Sequence, residues 1–302
     1  MSHPTQIQGQ TSQQQPEEVI QPSRARYQLS VKSAGATDRG RVRETNQDQF
    51  LIAGLTSALR IEESSLPQAQ IWYANENGHL LVVADGMGGA RGGEQASALV
   101  VSTIEEFLLG ALRWLYALRE PEGDTILTQL KGALRRADAR IFEEVRRRPE
   151  LRGMGTTLTM AYSLAGELFI AHVGDSRCYL LRGGALYQLT RDHTVVAELV
   201  QRGLITPEQV PENRFRHIIT NVVGGDSPGL KVEVHKLLLA PGDVLLLCSD
   251  GLTEMVSDQE IAEILSAQPE PRKACEQLIA RANELGGHDN VTAIVARHDF
   301  LG

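Results

Sequence analysis

Residues 80–97, LLVVADGMGGARGGEQAS, run an apolar block straight into a glycine-rich turn. Leu80 through Ala84 have the length and character of a fully buried strand, which Gly88, Gly89, Gly92 and Gly93 cannot continue. Asp85 is thereby expected at a strand end, where a carboxylate is held rigidly. Gly86 beside it has no side chain to crowd its carbonyl. The same residues also spell an Asp-Gly hairpin signal, so a metal ligand and a simple turn are both open at this point.

Outward from this stretch, apolar positions at Ala96, Leu99, Val100, Thr103 and Phe107 follow helical spacing. So do Ile126, Leu130, Leu134, Ala137, Ile141 and Val145, with Asp124 as a candidate N-cap. Pro149 closes the second helix, and strands are expected at 157–163, 168–173, 178–182 and 186–189, joined by AGE, GDS and RGG turns. Helical turns are expected at 194–202 and from Thr206-Pro207, and residues 211–230 are polar and glycine-rich, so 195–225 reads as a flap. Strands at 231–239 and 244–248, a capping box at Ser257 and Glu260, a helix over 271–285 and a strand over 291–296 complete the chain. Before residue 80, strands are expected at 27–32 and 50–53. Residues 54–79 read as an inserted excursion with one short strand near Ile71–Tyr73. Residues 1–25, rich in Gln and Pro, read as a disordered tail ahead of one domain over 26–300.

The 302 residues suffice for a sizeable core, and the net charge of -8 argues against broad binding to nucleic acid or anionic membranes. Cys178, Cys248 and Cys275 show no paired short spacing, which suggests neither a disulfide framework nor a zinc knuckle and fits a reducing cytoplasm. No apolar run reaches the ~20 residues of a membrane span, and the N-terminus has no basic-then-apolar signal pattern.

The segment LLLCSDG at 245–251 resembles LLVVADG at 80–86, each an apolar strand ending in Asp-Gly, and Asp289 in GGHDNVTAIVA precedes a third buried strand. Asp85, Asp250 and Asp289 meeting without a cation would repel one another and raise at least one pKa strongly. Divalent ions remove that difficulty, and all-oxygen ligation suits Mg²⁺ or Mn²⁺ rather than zinc. Arg43, in GRVRETNQD, offers a planar fork that matches two phosphate oxygens, and Asp38, Asn46 and Asp48 share its loop, where they can orient it or water at the metals.

Together, DRGRVRETNQD (38–48), VVADGMGGARGGEQAS (82–97), GMGTTLT (153–159), VGDSRCYLLRGG (173–184), LTRDHT (189–194), LLLCSDGL (245–252) and GGHDNVTAIV (286–295) resemble the metal-dependent serine/threonine protein phosphatases of type 2C in their compact bacterial form. The resemblance covers about residues 27–298 in the family's order. It implies an α+β fold, a central sandwich of two antiparallel sheets flanked by paired helices in four layers, with a binuclear centre at one end. By motif, Asp85, Asp250 and Asp289 take the roles of metal ligands, Asp85 bridging both ions and Gly86 lending its carbonyl. Arg43 holds the substrate phosphate, and Asp38, Asn46, Asp48 and Asn290 stand behind them. Glu150, with help from Asp289, matches a weaker third metal position at which relatives commonly carry Asp. Gln47 replaces a common Glu, and Met87 stands where relatives with DGHGG carry a histidine proposed as general acid.

The implied reaction is in-line attack of a metal-bridging hydroxide on phosphoserine or phosphothreonine. Loss of a general acid costs about 10²- to 10⁴-fold, a small part of the acceleration such reactions require, so Met87 does not exclude activity. Cys178 and Cys248 lie outside any C-x5-R phosphate loop and read as core, and His193 and His288 read as hydrogen-bond partners rather than acids. The implied partners are phosphoprotein substrates, with a bacterial Ser/Thr kinase and its targets first and a sigma-factor regulator as the alternative; the chain reads as a cytoplasmic monomer. Two rival readings are a two-metal phosphodiesterase or nuclease, disfavoured for want of a basic stripe, and a non-catalytic phosphoprotein-binding module, disfavoured by the three acids and Arg43.

Overall fold

Leu80 through Ala84 alternate between two cores. Leu80, Val82 and Ala84 pack among Val100, Ile104, Leu134 and Ile141, whereas Leu81 and Val83 turn the other way and meet Cys178, Leu180, Leu245, Leu247 and Ile294. A strand covered on both faces has no polar side, which is why its sequence reads as a continuous apolar run.

The computed structural model describes residues 29–55, 59–64, 78–115, 123–226 and 228–300. In chain order these form strands β1 (Leu29–Asp38), β2 (Asp48–Leu55), β3 (Leu59–Ser64) and β4 (Gly78–Met87), then helices α1 (Gly89–Leu115) and α2 (Gly123–Arg147). A meander follows: β5 (Gly155–Thr156), β6 (Leu158–Leu164), β7 (Glu167–Val173), β8 (Arg177–Arg182) and β9 (Ala185–Gln188). After helix α3 (Val195–Gln201) come β10 (Val223–Gly224), β11 (Glu233–Leu238) and β12 (Asp243–Cys248). Helices α4 (Asp250–Thr253), α5 (Asp258–Ala267) and α6 (Pro271–Glu284) lead to the final strand, β13 (Val291–Phe300).

One sheet runs β1-β13-β12-β8-β9. The other runs β10-β5-β4-β6-β7-β11, with β2 on β4 and β3 on β2, and every pairing is antiparallel. Helices α1 and α2 cover the second sheet and α5 and α6 the first, which gives the expected four layers. In α2, Ile126, Leu130, Ala133, Leu134, Ala137 and Ile141 are buried at helical spacing and form the stripe that seats it. Ser257 caps α5, with Glu260 closing the capping box, and Thr194 caps α3 by accepting from Ala197 N.

Several expected boundaries move. Strand β4 does not stop at Asp85 but runs on to Met87 and ends at Gly88, whose φ of +125° bends the chain into α1. The segment 245–251 is no structural copy of 80–86, because β12 ends at Cys248 and Asp250 is the first residue of α4. Helix α2 starts at Gly123, ahead of the Asp124 cap position. The excursion contains β3, and the stretch read as polar and glycine-rich contains β10, which extends the second sheet through β5. The strand expected near Ile71–Tyr73 and the tail over 1–25 lie outside the described residues. Among those residues, no helix is long and apolar enough to cross a membrane.

Candidate metal centre

Both sheets deliver acids to the same end of the sandwich. Asp48 and Asp85 are opposite one another in the β2–β4 ladder. The backbone of Asp85 is gripped from the next strands: its N–H donates to Thr157 Oγ1 (3.0 Å), and its carbonyl accepts from Thr157 N (2.8 Å) and Thr156 Oγ1 (2.7 Å). From the other sheet, Asp250 follows β12 as the first residue of α4, and Asp289 precedes β13.

Asp48 joins the two sheets. Its Oδ2 accepts from Ser249 Oγ and Thr292 Oγ1, both at 2.7 Å, and Thr292 Oγ1 lies 2.7 Å from Thr37 Oγ1, which Asn46 Nδ2 approaches at 2.8 Å. Among the described residues, this buried chain of hydroxyls leaves the second oxygen of Asp48 without a partner. Burial, opposed only in part by Thr292 and Ser249, lifts the Asp48 pKa to about 6.

The same physics acts on its neighbours. Burial first and the charge of Asp48 second push the Asp85 carboxyl well above its usual range, and Asp250 is pushed up by burial and then by Asp175 and Glu254. Asp175, in the turn after β7, is a residue that sequence reasoning missed. It is buried, its Oδ1 has no partner among the described residues, and burial followed by Asp192 raises its pKa to about 7. The VGDSR motif contained the signal, an acid directly after a buried strand, but GDS reads as turn punctuation until the fold brings it against Asp85 and Asp250.

Among the described residues, three carboxylate oxygens, one each on Asp48, Asp175 and Asp250, are therefore buried with no hydrogen-bond partner. Orphaned anionic oxygens beside further carboxylates suit hard divalent cations, which take oxygen donors and relieve the repulsion. Among the described residues, no three acidic, His or Cys side chains are arranged so that together they could hold a metal ion. Asp289 is instead engaged by Arg43, whose Nη2 donates to Oδ2 at 2.5 Å, while Asp289 Oδ1 accepts from Asn290 N. That pairing, aided by Asp250 and Asp85, raises the Arg43 pKa despite partial burial.

The glycines explain how backbone enters the site. A Cβ on Gly93 would stand 2.6 Å from Gly86 O, and one on Gly86 would stand 2.1 Å from Gly93 O. The end of β4 and the start of α1 touch backbone to backbone, an approach that only glycine at both positions permits.

The remaining predicted residues divide by location. Asp38 accepts from Gly40 N and Asn283 Nδ2, Asn46 accepts from Asp48 N, and Asn290 accepts from Gln47 N while donating to Arg39 O and Thr45 O. All three shape the Arg43 loop. Glu150 is exposed in a short 3₁₀ turn, Pro149–Leu151, and among the described residues no hydrogen bond or ion pair joins it to the acids. His193 accepts at Nδ1 from Gly174 N and Asn221 Nδ2 and faces Glu233 through Nε2, so both ring nitrogens are in use; His288 is exposed. The expected flap leaves and rejoins the fold at one place, with Val195 N donating to Ile218 O and Thr220 N to His193 O. Its His217 lies 2.5 Å from Glu254, one turn beyond Asp250. All three cysteines are buried, and burial raises every thiol pKa, those of Cys248 and Cys275 to about 12.

A family model described as "Protein phosphatase 2C" matches residues 68–284. The serine/threonine protein phosphatase PstP of Mycobacterium tuberculosis is 38% identical over 274 residues, covering 90% of this chain and 46% of PstP, so the chain spans about half of that relative's length. The serine/threonine phosphatase stp of Listeria monocytogenes is 33% identical over 87% of this chain and 94% of its own. The catalytic domain of PstP, solved in complex with two manganese ions, superposes with a TM-score of 0.70 at 35% identity, over 90% of this chain and all of that one. A sandwich that gathers acids from both sheets at one end, matched in sequence and in structure along nearly its whole described length, places this chain in the protein phosphatase 2C family.

Proposed function

We propose that the chain is a protein-serine/threonine phosphatase that works with two Mn²⁺ or Mg²⁺ ions. The observation that carries this reading is the set of partnerless buried oxygens on Asp48, Asp175 and Asp250 beside Asp85 and Asp289. The PstP domain bound to two manganese ions supports it. Asp85, Asp250, Asp289 and the Gly86 carbonyl would hold the ions, with Asp48 and Asp175 behind them and Glu150 at a weaker third position. Bound there, the ions would supply charge neutralisation and activation of water for direct displacement at phosphorus, with no covalent phosphoenzyme required.

The protein's own residues orient the reaction. Arg43 offers two donors to the phosphate, on a loop fixed by Asn290 and Asp38. Met87 has no proton to give, so the seryl or threonyl oxygen takes its proton from water. The raised thiol pKa values of the buried cysteines speak against a cysteinyl intermediate. Phosphoproteins are the substrates, a bacterial Ser/Thr kinase and its targets among them.

The test is turnover of a phosphothreonyl peptide and a nucleic-acid diester with Mn²⁺, with Mg²⁺ and with EDTA, beside Asp250→Asn. Cation-dependent turnover of the peptide, lost in the variant, is expected. Turnover in EDTA or an unimpaired variant overturns the two-ion reading, a preferred diester replaces it with a nuclease, and peptide binding without turnover replaces it with a binding module.

A further inference from the structure

The loop that carries Arg43 presents more positive charge than one phosphate needs. Arg39, Arg41 and Arg43 alternate through RGRVR and are all exposed. The loop is not a floppy one. Arg41 N donates to Gly287 O at 2.7 Å, and Asn290 Nδ2 holds the carbonyls of Arg39 and Thr45 at 2.9 Å each. Gly40, at φ +78°, is packed so closely that a Cβ would stand 2.2 Å from Asp289 O.

The acids that bound the loop are turned away from its surface, since Asp38 holds Gly40 N and Asn283 and Asp48 is buried between the sheets, which leaves Glu44 as the exposed acid against three arginines. Arg39 Nη1 donates to Glu44 O at 3.3 Å, which sets its guanidinium beside the residue that follows Arg43. The stem of Arg41 lies on Gly287, two residues before Asp289, with Cγ 3.0 Å from where a Cβ would be. On this one loop the Arg39 guanidinium is thus held next to the residue after Arg43, and the Arg41 stem against the loop that carries Asp289. Neither makes an ion pair with an acid among the described residues, in a chain with 38 Asp and Glu against 30 Lys and Arg.

We propose that Arg39 and Arg41 form a second anion subsite beside Arg43, which receives a carboxylate or a further phosphate on a residue flanking the target phosphoresidue. The proposal rests on the phosphatase reading and narrows its substrates to acidic or multiply phosphorylated segments. The guanidinium fork suits either oxyanion, and a pre-fixed loop spares the ordering cost that usually cancels an exposed ion pair.

Three phosphothreonyl peptides, identical except for a flanking alanine, glutamate or non-hydrolysable phosphonate, test it on the parent protein and on an Arg39→Ala, Arg41→Ala double variant. The parent is expected to prefer the glutamate peptide about fivefold and the phosphonate peptide more strongly in kcat/KM, mainly through KM, with the preference shrinking at high salt. In the double variant the ratio of either anionic peptide to the alanine peptide falls towards one. Equal treatment of the three peptides by the parent, or a ratio that survives in the double variant, overturns the subsite. If none of the peptides is hydrolysed, the phosphatase reading fails, and equilibrium binding of the same labelled peptides still decides the subsite: equal affinities overturn it, and an anion preference lost in the double variant upholds it.

Discussion

Asp48 and Asp85 stand opposite one another in the β2–β4 ladder, so the register that buries Leu51 and Val82 also sets two carboxylates side by side. A one-residue slip would exchange the side chains that fill the two cores, Leu80, Val82 and Ala84 for Leu81 and Val83, and spoil the packing of both, so burial of the cores enforces the crowding of the acids.

That crowding predicts the pH dependence of the cation-free protein. The unfolded chain gives up these protons near pH 4, whereas the folded protein keeps them to about 6 at Asp48 and about 7 at Asp175. Between those limits the native state binds more protons at these acids, which lowers its stability as pH rises by about 1.4 kcal/mol per pH unit per carboxylate, against an opposite contribution below about pH 6.5 from His172 and His298, whose pKa values burial lowers to about 4. Thermal melts in EDTA should give a lower Tm at about pH 8 than at about pH 5, and saturating Mn²⁺ should flatten that difference. An EDTA-treated protein that gains stability over the same rise would contradict the strain.

Gly93→Ala should be costly out of proportion to one methyl group. The Cβ meets Gly86 O at 2.6 Å, between two backbones that cannot step aside. A loss of roughly 2 kcal/mol or more is expected, with weaker Mn²⁺ binding by calorimetry. Gly183→Ala, at φ +59° with nothing within 4 Å, serves as the control and should cost about 1 kcal/mol with metal binding unchanged.

Arg43→Ala should lower kcat/KM on a phosphothreonyl peptide by about 10²-fold, with Arg43→Lys recovering only part of the loss, because a point charge replaces a two-pronged donor. The Arg43–Asp289 contact makes a second readout available: removing the arginine frees Asp289, so Mn²⁺ affinity should rise or hold while turnover falls. Joint loss of both would recast Arg43 as a structural residue.

The cysteines should be silent. Native protein is expected to resist thiol-specific reagents until it is unfolded, and Cys178→Ser should leave the turnover mechanism metal-dependent, since burial holds its thiol protonated. Rapid inactivation by alkylation of the folded protein would reopen the covalent alternative.

The run Leu80–Ala84 and the stripe from Ile126 to Ile141 were legible in the sequence because burial on fixed faces leaves a period or its absence in the residues themselves. The three strand-associated acids were legible for the same reason, each abutting an apolar block. Asp175 was not, since Gly-Asp-Ser satisfies every local rule for a turn and acquires its neighbours only when β7 is laid beside β6, and β6 beside β4. The likeness of 80–86 to 245–251 misled about geometry: pairing with β2 keeps Asp85 in a strand, whereas Ser249 turns the chain into α4 before Asp250. Asp38 and Asn46 were grouped with the site by proximity in sequence, and hydrogen bonding assigns them to building its loop.

The hydroxyl chain through Thr37, Thr292, Asp48 and Ser249 makes the acid cluster a caliper. Asp85 rides on one jaw, Asp250 and Asp289 on the other, and Asp48 is the rivet between them. Any loosening of one sheet against the other would be registered first as a change in carboxylate spacing, so, on the two-ion reading proposed above, the tightness of cation binding would report how firmly the sandwich is closed.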